Sequence, residues 1–178
     1  MDESKVFEKY PVWMILVYYF FSFSVYAAGL YLVYLVFPLF SLLLFIYIMF
    51  LEVQVLREGC VRCYYYGKRC VCGKGKLAEL LMKKDEKRKF NEKKLTMKNF
   101  IPSMLPMLVA LISGIYLIFI NLPGLDFLII GLTIWPLLVT FLGNPVIYGK
   151  MACPHCRQRE LGCPACEFFM KTEKKGKK

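Results

Sequence analysis

The sequence predicts an all-α membrane protein, with four transmembrane helices in two hairpins and a small cysteine-rich metal-binding knuckle after each hairpin. Three observations carry that reading. Tyr10 to Leu51 contains no Asp, Glu, Lys or Arg over 42 residues. Asn99 to Gly149 contains one such residue, Asp126. Eight cysteines stand outside both stretches in two like-spaced quartets. The composition agrees: the 178-residue chain is 58% hydrophobic, with mean hydropathy +0.48 and a formal net charge of +11. A chain this apolar and this basic must segregate the two properties. That excludes intrinsic disorder and argues against an ordinary soluble domain.

The first hairpin occupies residues 1–56. A single helix over the charge-free stretch would be about 63 Å long at 1.5 Å per residue. The hydrocarbon core is only about 30 Å thick, so the segment must cross twice. The spans fall near 11–30 and 34–54, with a turn between Gly29 and Pro38. The ten residues before it carry two Lys and three acids, unlike the positive start of a signal peptide. The stretch therefore reads as a retained hairpin. The second hairpin occupies 101–148. Asn121-Leu-Pro-Gly-Leu-Asp126 supplies its turn, and the spans are near 101–121 and 127–147. Pro106 and Pro136 fall inside them and should kink them.

The remaining segments are polar. Residues 57–100 hold the first cysteine cluster and a basic amphipathic helix; residues 149–178 hold the second cluster and a basic tail. Fourteen Lys and Arg lie within 55–98, eight follow Gly149, and Lys5 and Lys9 account for the rest of the 24. None is left for the hairpin tips. The positive-inside rule then places both termini and the central connection in the cytoplasm of a multi-pass protein of the cell membrane. Lys76-Leu-Ala-Glu-Leu-Leu-Met-Lys83 reads as a helix with an apolar stripe of Leu77, Leu80 and Leu81. It is expected on the inner leaflet, with its basic residues toward anionic headgroups. Tyr64-Tyr65-Tyr66 reads as part of an interfacial aromatic belt. Topology already accounts for the positive charge, so nucleic acid is not the expected partner.

The clusters run Cys60-x2-Cys63-x6-Cys70-x-Cys72 and Cys153-x2-Cys156-x6-Cys163-x2-Cys166. They match at the first three positions and follow their hairpins in the same way, as in a parallel repeat. A reducing compartment disfavours disulfides, so paired cysteines read first as metal ligands. A Cys-x2-Cys turn aims two thiolates at one ion, and thiolates suit Zn²⁺ or iron–sulfur clusters. Cys60, Cys63, Cys70, Cys72, Cys153, Cys156, Cys163 and Cys166 are thus the candidate ligands. Structural zinc, two ions, comes first; an iron–sulfur cluster is the alternative. Each quartet could hold its own ion, or a pair from each could share one. His155, the sole histidine, reads as a spacer inside its knuckle. Catalytic residues are not expected: there is no Ser/His/Asp arrangement and no chain of carboxylates through the spans.

At Cys60-Val-Arg-Cys63-Tyr-Tyr-Tyr-Gly-Lys-Arg-Cys70 and Cys153-Pro-His-Cys156-Arg-Gln-Arg-Glu-Leu-Gly-Cys163-Pro-Ala-Cys166 the chain resembles a group of small uncharacterised archaeal and bacterial integral membrane proteins. The resemblance implies a prokaryotic inner membrane and no particular activity. The expected function is a membrane adaptor or accessory subunit that offers a metal-stapled cytoplasmic face to a protein partner. An iron–sulfur electron-transfer subunit and a small membrane enzyme acting on a lipid or prenyl substrate are the alternatives.

Overall fold

A computed structural model describes residues 6–85, 97–120 and 127–175. Most of these residues are helical, with no strand among them and one isolated parallel bridge between Phe7 and Cys156. Helix α1 spans Val12–Val36 and α2 Pro38–Glu58; a short α3 spans Lys74–Leu81; α4 spans Met97–Ile120 and α5 Phe127–Leu138; α6 spans Arg157–Glu160 and α7 Pro164–Lys175. Four helical segments are long and apolar enough to cross a membrane: Val12–Val36, Pro38–Arg62, Ile101–Ile120 and Phe127–His155. In lipid, only a segment that satisfies its own backbone groups can span, and these helices do so. Their outward surface is unusually apolar: Phe20, Leu43 and Phe119 are all more than half exposed. A soluble monomer does not show that much apolar surface to water.

Contacts divide the chain into two compact units. One comprises Phe20–Glu52 with Thr96–Gly143; the other comprises Met1–Tyr19, Val53–Leu95 and Asn144–Lys178.

In the first unit, the α1–α2 turn is tighter than the sequence suggested, since only Phe37 separates the two helices. The Phe37 amide still bonds Val33 O (2.9 Å), while Pro38, which has no N–H to lose, starts α2. The hairpin closes through Val33 against Leu44 and Ile48. Ser41 Oγ donates to Leu30 O (3.1 Å), and the Tyr26 hydroxyl to Glu52 Oε1 (2.7 Å). On α4, small residues let neighbours approach. A Cβ at Gly29 would stand 3.3 Å from Ala110 Cβ, and one at Gly114 would press on the Thr133 side chain, including Cγ2 at 2.8 Å. Such close approach is how helices associate where lipid removes the hydrophobic driving force. Trp135 Nε1 donates to Ser24 Oγ (3.0 Å), giving an indole N–H a partner inside an apolar layer.

Pro102 and Pro106 are accommodated within α4, and Pro136 within α5. The last span departs from α-helical geometry soon after Pro136. It continues as wider π-helical turns over Val139–Gly143 and Pro145–Ala152. Pro136 and Pro145 each lack an N–H, so the ordinary hydrogen-bond ladder is interrupted twice here. The expected turn at 121–126 lies outside the described residues.

The second unit carries all eight cysteines. Its centre is Tyr10, Met14 and Tyr65, with Phe7, Cys63, Cys70, Val71, Met151 and Cys156 packed around them. Tyr65 is only 2% exposed, so the middle residue of the triplet expected in an interfacial aromatic belt is buried within this unit, while Tyr64 and Tyr66 stay partly exposed. The backbone turn after Cys63 directs the middle tyrosine inward. Tyr64 instead carries the Lys68 ammonium over its ring, 4.3 Å from the centroid, and the Tyr66 hydroxyl donates to Met82 O (2.7 Å).

Candidate metal centre

Each cluster opens on the same local device, a 3₁₀ turn. Cys60–Arg62 and Cys153–His155 form the two turns, and in each the second cysteine's amide bonds the first cysteine's carbonyl at 3.3 Å, Cys63 to Cys60 and Cys156 to Cys153. A Cys-x2-Cys segment folded this way brings both sulfurs to one side of the turn. After each turn the chain reverses at a glycine with positive φ, Gly67 (73°) and Gly162 (86°), a conformation that side chains with a Cβ rarely adopt. The local fold thus repeats along with the cysteine spacing.

The second quartet converges. Cys153, Cys163 and Cys166 form one buried cluster, and Cys156 packs against it. The Cys166 thiol is a hydrogen-bond partner of Cys153, Cys156 and Cys163, which holds its proton on and drives its pKa far upward. The same contacts lower Cys156 and Cys163. Cys156 is brought down to about 6, first by the Cys166 thiol, with help from the backbone N–H groups of Gln158 and Arg159 and against the effect of burial. Cys163 is brought down to about 7, again first by Cys166, with help from the amides of Cys166 and Ala165. Backbone amides at positions two and three beyond a cysteine, both aimed at its sulfur, stabilise a thiolate and fix its direction.

The first cluster is less complete. Burial pushes Cys63 up to about 12, opposed by a hydrogen bond from the Tyr65 amide; Cys60, Cys70 and Cys156 lie near enough to raise it further. Cys70 accepts the Gly75 amide at 3.3 Å. Cys72 faces elsewhere: its sulfur lies 3.8 Å from the Tyr148 hydroxyl, and Tyr18 is a second partner. Burial, then the neighbouring Cys70, pushes Cys72 up to about 12. The structure therefore gathers Cys153, Cys156, Cys163 and Cys166, sets Cys60 and Cys70 around Cys63, and turns Cys72 toward two tyrosines. Among the described residues no three or more His, Cys, Asp or Glu side chains already stand in a metal-holding arrangement. The second quartet is collected by thiol hydrogen bonds and not around a common centre.

Sequence reasoning missed the residues that join the two clusters. The Phe7 amide donates to His155 O (3.0 Å), and the Tyr65 hydroxyl donates to Phe7 O (2.6 Å) while accepting the Arg157 amide (3.1 Å). The Tyr10 amide donates to Arg69 O (3.0 Å) and its hydroxyl to Ala152 O (2.7 Å). Gln158, only 3% exposed, accepts the Tyr64 amide (2.7 Å). The N-terminal segment is thus sewn to both clusters. His155 stacks on Phe7, centroids 4.6 Å apart, as a packing residue of its turn. In comparisons with known proteins, the chain matches no protein family, no curated protein and no solved structure.

Proposed function

We propose that this multi-pass membrane protein carries a structural zinc site at Cys153, Cys156, Cys163 and Cys166 and serves as an adaptor or accessory subunit at the cytoplasmic face. The observation that carries the reading is the convergence of those four thiols, with backbone amides on the sulfurs of Cys156 and Cys163. Four thiolates complete a tetrahedron and leave no position for water, so the ion's role is to order the polar segments. A second ion at Cys60, Cys63, Cys70 and Cys72 requires Cys72 to leave Tyr148, so it should be held more weakly. Both sites belong to the segments that hold 22 of the 24 basic residues, fourteen within 55–98 and eight after Gly149, and the positive-inside rule assigns those to the cytoplasm.

Metal analysis of protein purified without oxygen tests the reading. The expected result is one firmly bound zinc per chain, a second that a mild chelator removes first, and no visible absorption. Cys163→Ser should abolish the firm site, whereas Cys72→Ser should affect only the weaker one. Visible absorption with iron and sulfide would replace zinc by an iron–sulfur cluster. A metal-free protein with all eight thiols freely reactive would overturn the assignment.

A further inference from the structure

Helix α3 is docked by one face and bare on the other. Its inward face is Gly75 and Ala78, both buried. Gly75 sits so tightly on the carbonyls of Tyr65 and Lys68 that a Cβ would overlap both oxygens. The Gly75 amide bonds Cys70 Sγ, and its carbonyl accepts the Gly67 amide (3.0 Å). These contacts fix the rotation of the helix about its axis, and with it the opposite face. Leu77, Leu80 and Leu81 are 42%, 80% and 59% exposed. Their i, i+3, i+4 spacing puts them within about 100° of arc. At about 100° per residue, Lys74 and Lys76 fall on either border of that arc, and Glu79 falls on the far side. The Glu79 carboxylate lies back over Gly67, 3.1 Å from where a Cβ would be. The only acid of the helix is thus withdrawn from the leucine face.

We infer that this face lies on an anionic bilayer surface, with the three leucines in the acyl-chain boundary and exposed Lys76 against lipid phosphates. Charge and chain continuity select that occupant. Residues 55–98 contain fourteen basic and five acidic side chains, and exposed Lys83 and Lys84 follow the helix directly. The chain enters this segment from the apolar helix α2, which ends at Glu58, and leaves it into the apolar helix α4. A helix tethered on both sides by membrane spans, with leucines outward and lysines bordering them, has the pattern of an interfacial anchor. The inference is independent of the metal assignment, since it uses no cysteine as a ligand.

The test uses the full-length protein in nanodiscs, with photoreactive benzoylphenylalanine in place of Leu80. The same group in place of Leu43, exposed on α2, serves as the reference for lipid contact. Discs are made from phosphatidylcholine alone or with phosphatidylglycerol, and adducts are read by mass spectrometry. The expected result is a lipid adduct at position 80, several-fold stronger with phosphatidylglycerol and weakened by salt. An adduct at 43 without one at 80 would overturn the inference. Equal adducts at 80 in both lipids would overturn the anionic selectivity, and an adduct to a second copy of the chain would make the face a self-association surface instead.

Discussion

Replacing Gly75 with alanine should open the first cluster. The added methyl would overlap the Tyr65 and Lys68 carbonyl oxygens, and both are backbone atoms that cannot swing aside as a side-chain end could. Helix α3 would have to move, stretching the Gly75 amide to Cys70 Sγ bond (3.3 Å) and the Gly67 amide to Gly75 O bond (3.0 Å). Two such bonds are together worth about 2 kcal/mol, and overpacking adds about 1–3 kcal/mol. Alanine's better helix propensity returns at most about 1 kcal/mol. A net cost of about 2–4 kcal/mol raises the open population by about 30- to 800-fold. Hydrogen exchange of the amides in 75–82 reads that population directly when opening and closing are fast. Gly131→Ala is the matched control, because nothing lies within 4 Å of its added methyl; it should be neutral or slightly stabilising. Unchanged protection of 75–82 in Gly75→Ala would refute the docking of α3 on those carbonyls.

Two further outcomes follow from the cysteine-bearing unit. Tyr10→Phe removes the donor to Ala152 O at a site where both residues are buried; it should cost about 1–3 kcal/mol, read as faster tryptic cleavage near Arg157 with the spans intact. In metal-free protein, Cys156 and Cys163 titrate at about 6 and about 7, below the ordinary thiol value of 9.0, so the stability they supply is present above pH 9 and lost as pH falls through those values. Cys63, raised to about 12, acts in the opposite sense, and its contribution is lost as pH rises from 9 toward 12. Exchange protection of residues 150–166 should therefore peak near pH 9; a profile flat from pH 6 to 12 would contradict the thiol network.

The helical spans were legible because charge is the most expensive thing to place in lipid, and its absence over 42 residues admits few alternatives. Their ends were less so. Phe37 and Pro38 make a turn without any polar loop, and composition does not announce such a turn. The last span runs on as π-helical turns to Ala152, where the predicted span stopped at 147. The amphipathic stripe of α3 was readable from Leu77, Leu80 and Leu81, whereas its docking face was not, because glycine and alanine look like helix filler until a backbone carbonyl sits against them. Both quartets were read as candidate ligand sets, the first as the weaker, and the sequence held the reason for the difference. Cys70-Val-Cys72 is one residue shorter than Cys163-Pro-Ala-Cys166. With a single intervening residue, no Cys-x2-Cys turn can form, and Cys72 goes to Tyr148. The seam through Phe7, Tyr10 and Gln158 left no local trace, since its partners lie 58 to 142 residues apart wherever a side chain is involved.

That seam decides what metal binding at the second quartet would do. The groups that hold the N-terminal segment and the first cluster belong to the second cysteine cluster itself: Ala152 O precedes Cys153, His155 O lies within the Cys153–Cys156 turn, and the Arg157 amide and Gln158 side chain follow Cys156 directly. An ion bound there would therefore also position the partners of Phe7, Tyr10, Tyr64 and Tyr65. The Tyr64 and Tyr65 contacts are on the loop between Cys63 and Cys70, and Tyr10 reaches Arg69 beside Cys70. An ion at Cys153, Cys156, Cys163 and Cys166 would accordingly order the first cluster through hydrogen bonds, without sharing a ligand with it. Ion sharing between the clusters and coupling through the seam differ in one respect: sharing needs Cys63 or Cys70 as a ligand of the firm ion, while the seam needs only their neighbours' backbone. The amides already aimed at Cys156 and Cys163 come from within the second cysteine cluster, which is the arrangement a self-contained site would require.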